Sequence, residues 1–160
     1  MNKQTGNNLQ ELANDSKAWV YTSSQKFTQN QVDEIMKYSE VFLSQWDSHG
    51  KMLKGTIQII ENRFIAIFAD SEGETMCGTA RDKSVKFIKE LEEITGVTLM
   101  DRMLIAYKQN QDIKVLDFNT LRTKISGGEI EKSTLFYNGL ITTKEEFMTN
   151  WEIPIEGSWI

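Results

Sequence analysis

Apolar residues recur along this chain with two different periods, and their order predicts a mixed α+β fold. Two stretches carry apolar residues three and four positions apart, which is typical of amphipathic helices. Four shorter runs are rich in β-branched and aromatic residues and predict strands. The order is strand, helix, strand, strand, helix, strand, at residues 18–22, 28–46, 56–60, 64–69, 82–95 and 103–107.

Polar residues at the ends of these stretches mark where the elements begin and end. Thr28 is followed three residues later by Gln31, which predicts a capping box at the start of the first helix. Asn62 tolerates the positive φ that a tight turn between two strands needs. Gly96 predicts the end of the second helix.

This order is that of the ferredoxin-like arrangement, in which two helices cover one face of an antiparallel sheet. We expect a strand at 113–116 to be added at an edge of that sheet. A C-terminal extension follows, with a helix at 118–125, a strand at 134–137 and a helix capped by Thr143. Residues 1–17 are polar and predict a disordered tail, so that residues 18–160 form one α+β domain.

The ferredoxin-like order also predicts which loops meet. The chain leaves the first helix and the third strand at the same end of the sheet, so the loops at 47–54 and 70–80 should be neighbours, with the turn at 108–112 beside them. The loops at 23–26 and 61–63 should lie at the opposite end, about 20 Å away for a six-residue strand. The candidate ligand-binding or catalytic residues of the first edge are His49, Asp70, Cys77, Thr79, Arg81 and Asp82.

The only histidine and the only cysteine fall in these two loops. His49 suits a general base or a ligand, and the alternative is a loop histidine that bonds nearby backbone. Cys77 with His49 would form a nucleophile–base pair beside a helix start, assisted by Asp70 or Thr79. The alternative for Cys77 is an inert, small apolar side chain.

The loop at 70–80 is long for a connection between a strand and a helix, as functional or mobile loops often are. Its end offers backbone N–H groups near Arg81 and Lys83, which an anion site requires, whereas Glu72 and Glu74 oppose a strongly anionic ligand. The acidic residues match no EF-hand spacing, and one His with one Cys makes no zinc signature. We therefore expect no metal site.

Composition narrows the class of protein. The 160 residues are 39% hydrophobic and 26% charged, which is ordinary for a globular protein. A net charge of −5 without a Lys/Arg cluster argues against nucleic-acid binding, and no apolar run approaches the ~20 residues of a membrane helix. A lone cysteine excludes internal disulfides and fits a cytoplasmic location. No cofactor is expected, and the oligomeric state is left open.

Six stretches of the chain together carry a family resemblance: 45–50 (Gln-Trp to His-Gly), 63–65 (Arg-Phe-Ile), 82–92 (Asp-Lys-Ser-Val-Lys-Phe-Ile-Lys-Glu-Leu-Glu), 101–102 (Asp-Arg), 142–144 (Thr-Thr-Lys) and 151–154 (Trp-Glu-Ile-Pro). They resemble a family of short uncharacterised proteins from Bacteroidetes-type genomes, often labelled "ABC transporter ATPase". In the family pattern a Gly-Cys-Ser-Ile-Asp run precedes the second helix. Here Thr79 stands at the cysteine position, which weakens a Cys–His enzyme.

The label can be compared with the residues that ABC ATPases need. Residues 125–129 read Ile-Ser-Gly-Gly-Glu, similar to the Leu-Ser-Gly-Gly-Gln signature, and 64–70 looks like a Walker B strand ending in Asp70. The strand precedes the signature, however, which reverses the ABC order. No Gly-x-x-x-x-Gly-Lys-Ser/Thr loop is present to cradle the β- and γ-phosphates. The residues therefore argue against ATPase activity.

Three functions are consistent with these features. We expect a non-catalytic cytoplasmic domain that binds a small molecule or a protein partner through the loops at 47–54 and 70–80. The first alternative is a small enzyme with His49 as general base. The second alternative is a protein-interaction module that uses the tryptophan-containing segment at 151–160.

Overall fold

The computed structural model describes residues 2–160, in which two four-stranded antiparallel sheets combine with four α-helices. The first sheet has the strand order β1-β5-β6-β2, and the second has the order β10-β9-β7-β8. The strands are β1 Lys3–Gly6, β2 Lys17–Thr22, β3 Asp47–Ser48, β4 Lys51–Met52, β5 Lys54–Ile60, β6 Phe64–Asp70, β7 Leu104–Gln109, β8 Asp112–Asp117, β9 Leu135–Tyr137 and β10 Glu152–Pro154; the helices are α1 Gln29–Gln45, α2 Gly78–Thr95, α3 Phe118–Ser126 and α4 Lys144–Asn150, with a 3-10 turn at Leu9–Glu11.

The first sheet lies between a pair of helices and the second sheet. Strand β6 is buried along its whole length, because successive side chains of a strand point to opposite faces and both faces are covered. Ile65 and Ile67 pack with α1 and α2, whereas Phe64 and Phe68 pack with residues of the second sheet. On the far side of the second sheet, Leu121 of α3 completes another apolar cluster. The layers are therefore helix pair, sheet, sheet and helix.

Several end signals in the sequence are confirmed. The Thr28 hydroxyl accepts a hydrogen bond from the Gln31 N–H at 3.2 Å, and the Gln31 side chain accepts one from the Thr28 N–H at 2.9 Å. Asn62 has a φ of 51° in the turn between β5 and β6, and Gly96 ends α2 with a φ of 70°. Helix α2 begins four residues earlier than predicted, because the Cys77 carbonyl already accepts bonds from the N–H groups of Ala80 and Arg81.

The α+β class is confirmed, but the strand order departs from the ferredoxin-like arrangement. The segment β2–α1–β5–β6 has the expected antiparallel order, with β6 between β5 and β2. The predicted fourth strand, β7, pairs instead with β8 and β9 in the second sheet, and β8 is an edge of that second sheet. The turn between β7 and β8 lies near Arg63, whose Nη2 donates to the Ile113 carbonyl at 3.4 Å. It is therefore at the end opposite to the one predicted.

The N-terminal segment is ordered, contrary to the predicted tail at 1–17, of which Met1 lies outside the described residues. Strand β1 pairs with β5, placing Gly6 opposite Thr56. Leu9 and Leu12 are buried in the cluster between the sheets, and the Lys144 ammonium donates to the Leu12 carbonyl at 2.7 Å. Two apolar anchors and a free strand edge are enough to order a segment that is otherwise polar.

No helix within residues 2–160 is long and apolar enough to cross a bilayer.

Candidate functional site

The loops at 47–54 and 70–80 lie side by side at one end of the first sheet. Strands β3 and β4 form a short hairpin whose two turn residues, His49 and Gly50, have φ values of 54° and 78°. Two successive positive φ values are typical of a type I′ turn, whose twist suits a tight hairpin. His49 therefore sits exposed at the tip of a hairpin, in a backbone conformation that histidine adopts more readily than most residues.

Three polar contacts join the 47–54 segment to the second loop and to helix α2. The Cys77 N–H donates to the Ser48 hydroxyl oxygen of the hairpin at 2.9 Å, and Lys54 at the start of β5 lies 3.9 Å from Glu72. The Lys83 ammonium lies 2.9 Å from an oxygen of Asp47 and holds the pKa of that carboxyl below its usual value. The contacts of Ser48 and Asp47 hold the hairpin against the start of α2.

Cys77 occupies the N-cap position of α2, partly exposed, next to the hairpin. The Ser48 hydroxyl, the Ala80 N–H and the His49 N–H favour the thiolate in that order, and the His49 ring adds a smaller electrostatic contribution. Together they lower the pKa of the Cys77 thiol from 9.0 to about 7. A thiolate is the nucleophilic form of cysteine, and a pKa near 7 means that a substantial fraction of this side chain is thiolate at neutral pH.

Asp70 holds the backbone of two neighbouring segments. Its side chain is 8% exposed; one oxygen accepts from the Ala13 N–H at 3.1 Å, and the other accepts from the Glu72 N–H at 2.8 Å. These bonds tie both the N-terminal segment and the second loop to the end of β6. Asp70 is therefore not placed to orient His49.

Thr79, Arg81 and Asp82 lie in the first turns of α2 with exposed side chains. The structure thus brings all six predicted residues to the same end of the sheet, but it does not arrange them around a cavity. The depression between the two loops has a volume of only about 10 Å³, enough for about one water molecule. It is lined by residues of both loops, including Ser48, Asp70 and Glu74.

A larger groove opens next to this edge, between helices α1 and α2. Its volume is about 200 Å³. The rings of Phe42 and Phe87 stack with their centroids 4.4 Å apart, and the buried Trp46 indole N–H donates to the Ala80 carbonyl at 2.9 Å. Polar and charged side chains complete the lining: Gln45, Lys83, Lys86 and Glu90. Lys83 belongs both to this groove and, through Asp47, to the predicted edge.

The apolar pattern alone does not predict the groove. Phe42 and Trp46 lie in the apolar stripe of α1 and Phe87 in that of α2, a spacing that predicts core positions. Trp46 and Phe87 are indeed buried, whereas Phe42 is only partly buried and lines the groove. The available signal was charge position, because Lys83, Lys86 and Glu90 follow one another at three- and four-residue spacing on α2. This places them on the same helical face as Phe87, which a fully buried face would not tolerate.

Trp159 and the Ser-Gly-Gly segment make contacts within the chain. Trp159 is 41% exposed, but its ring stacks on Phe118 and its N–H donates to Asn138 at 3.0 Å. The Ser-Gly-Gly segment ends α3, where the N–H groups of Gly127 and Gly128 bond to carbonyls of that helix. A helix C-terminus carries partial negative charge, so this segment is unsuited to binding phosphate.

Comparison of the chain with protein-family models, curated proteins and solved structures finds no match. The resemblance to the family labelled "ABC transporter ATPase" therefore stays a prediction. Within residues 2–160, no group of three or more His, Cys, Asp or Glu side chains is placed to hold a metal ion.

Proposed function

We propose that the chain is a non-catalytic ligand-binding domain, and that its ligand lies in the groove between α1 and α2 beside the 47–54 and 70–80 edge. This proposal rests on the difference in volume between the groove and the depression within the edge. The groove holds about 200 Å³, whereas the depression within the edge holds about 10 Å³. Binding sites for small molecules are concave, largely apolar and equipped with a few polar groups.

The polar groups of the edge support binding without chemistry. Both oxygens of Asp70 are used by backbone N–H groups, and His49 is exposed at a turn rather than enclosed in a cleft. A general base acts when a substrate proton comes within hydrogen-bond reach in a defined pose. The hairpin in this arrangement instead braces the start of α2, which forms one wall of the groove.

The proposal is tested by thermal unfolding against a panel of nucleotides, metabolites, metals and small organic acids. A ligand present at 100 times its dissociation constant adds about 2.7 kcal/mol of stability, which raises the Tm of a chain of this size by about 5–10 °C. We expect the increase to be lost in Phe42→Ala and kept in His49→Ala. A stabilising compound whose effect is lost only in His49→Ala would overturn the choice of groove.

A second candidate function is supported by the position of Cys77 at the N-cap of α2 beside the Ser48 hydroxyl, where the pKa of its thiol is lowered. In this alternative the chain is a small thiol enzyme in which His49 assists the nucleophile. Covalent trapping with iodoacetamide, followed by mass spectrometry, measures the reactivity of this single cysteine. Alkylation at pH 7 that is slowed severalfold in His49→Ala would favour the enzyme. Equal rates in the two proteins would show that the His49 imidazole has no part in activating the thiol, since His49→Ala keeps the backbone N–H that also favours the thiolate.

A further inference from the structure

The groove between α1 and α2 has an aromatic floor that extends beyond the cavity itself. Phe42 is partly exposed and stacks on the largely buried Phe87. On α1, Tyr38 and Val41 precede Phe42 by four residues and one residue, and they are 41% and 52% exposed. Residues three and four apart share a helical face, so the apolar surface continues from the cavity along α1 toward Tyr38. A planar ring placed in the groove would meet aromatic carbon on this side.

The opposite wall of the groove carries charged groups of both signs. Lys83 and Lys86 line this wall together with a single carboxylate, Glu90. The Lys83 ammonium bonds to Asp47 at 2.9 Å, which compensates its charge. Lys86 forms no ion pair with any residue in the range 2–160. The cation left to meet a ligand is therefore Lys86, one helical turn from Glu90.

From this combination we propose that the groove binds a small aromatic carboxylate. The ring would pack against Phe42 in the offset or edge-on geometry that aromatic pairs prefer, and the carboxylate would accept a charge-assisted hydrogen bond from Lys86. A volume of about 200 Å³ suits one small ring system, since sites for drug-sized ligands begin near 300 Å³. This inference rests on the proposed function, to which it adds a class of ligand.

Matched probes separate the contributions of ring and charge. We would measure binding of 3-phenylpropionate, 3-cyclohexylpropionate and phenethylamine to the intact protein at pH 7, by ligand-detected NMR relaxation. The first two probes share the carboxylate and differ in the ring, whereas the first and third share the ring and differ in the sign of charge. We expect 3-phenylpropionate to bind more tightly than either of the others.

Substitutions that remove single exposed charges from α2 show where the probe binds and should leave the fold intact. Lys86→Gln should weaken 3-phenylpropionate about three- to fivefold, the effect of one exposed ion pair, and Glu90→Gln should tighten it. Lys89→Gln is the matched control, because Lys89 is exposed on the same helix but does not line the groove. All three are surface changes, so the unfolding temperature of each variant should stay close to that of the wild type.

Two results would overturn the inference, and they differ in what they say about the proposed function. If phenethylamine bound as tightly as 3-phenylpropionate, or if Lys89→Gln weakened binding as much as Lys86→Gln, the ligand class would be wrong. In that case a different stabilising compound whose effect is lost in Phe42→Ala would leave the groove intact as a binding site. If no compound of the unfolding panel lost its stabilising effect in Phe42→Ala, both the ligand class and the proposed function would be wrong.

Discussion

Replacing Trp46 by phenylalanine tests how the groove is held together. Trp46 follows α1, is 1% exposed, and reaches across to α2 through its bond to the Ala80 carbonyl. Its ring also packs against Phe42, with centroids 5.0 Å apart, and lies over Gly55, where any side chain would crowd it. Trp46→Phe removes the bond between the helices while keeping an aromatic ring at the site.

The expected cost combines a lost hydrogen bond with a void. The Ala80 carbonyl lies inside α2 and keeps its helical partner, so losing the indole N–H costs about 1 kcal/mol, the net value of one bond. Removing the second ring leaves a void of roughly 40 Å³, worth about 1 kcal/mol at ~24 cal/mol per Å³, in addition to a lost transfer free energy of similar size. We therefore expect Trp46→Phe to lower the free energy of unfolding by about 2–4 kcal/mol.

Urea denaturation followed by far-UV circular dichroism measures this change. The m-value, which is the slope of the unfolding free energy against urea concentration, should be unaltered. The matched control is Trp159→Phe, since Trp159 also donates an indole hydrogen bond, at 3.0 Å to Asn138, but is 41% exposed. We expect the control to lose less than half as much stability. If Trp159→Phe were as destabilising as Trp46→Phe, the Trp46 bond between α1 and α2 would contribute no more stability than a partly exposed indole hydrogen bond.

Three further changes test the edge and the N-terminal segment. Asp70→Asn should lower the free energy of unfolding by about 2–3 kcal/mol in urea, because an amide supplies only one acceptor to the two N–H groups it faces; an unchanged midpoint would contradict this. Gly6→Ala places a side chain against the Gly55 carbonyl at a φ of 91°, so hydrogen exchange of β1 should accelerate at a cost of about 1–3 kcal/mol; retained protection would refute the pairing. Ser48→Ala removes the largest contribution to the low pKa of Cys77, so the midpoint of its alkylation rate should move upward from about pH 7, and a midpoint that stays in place would show that Ser48 is not the cause.

The ends of helices and the tight turns could be predicted because each is determined by a few adjacent residues. The capping box at Thr28 and the positive φ of Asn62 each depend on a few adjacent residues. The position of β7 could not be predicted from order alone, because a strand that follows a helix can join either the same sheet or another. One signal did point to a second sheet: β6 reads Phe-Ile-Ala-Ile-Phe-Ala without polar alternation, which is typical of a strand covered on both faces.

The sequence predicts the shared placement of the candidate site residues, but not the contacts that each of them makes. The shared edge of His49 and Cys77 follows from β2–α1–β5–β6, the part of the ferredoxin-like order that is present. The commitment of Asp70 to the Ala13 N–H could not be foreseen, because it depends on an N-terminal segment that was expected to be disordered. The groove depends on how far apart α1 and α2 pack, and side-chain spacing within one helix does not determine that distance.

We propose that a ligand binds in the groove between α1 and α2. The ¹H–¹⁵N NMR spectrum of the intact protein, titrated with the compound that raises Tm most, shows where that compound binds. We expect the largest shifts at the Trp46 indole N–H and at the backbone amides from Lys83 to Glu90. Largest shifts in the hairpin around His49, or around Trp159, would contradict the proposal.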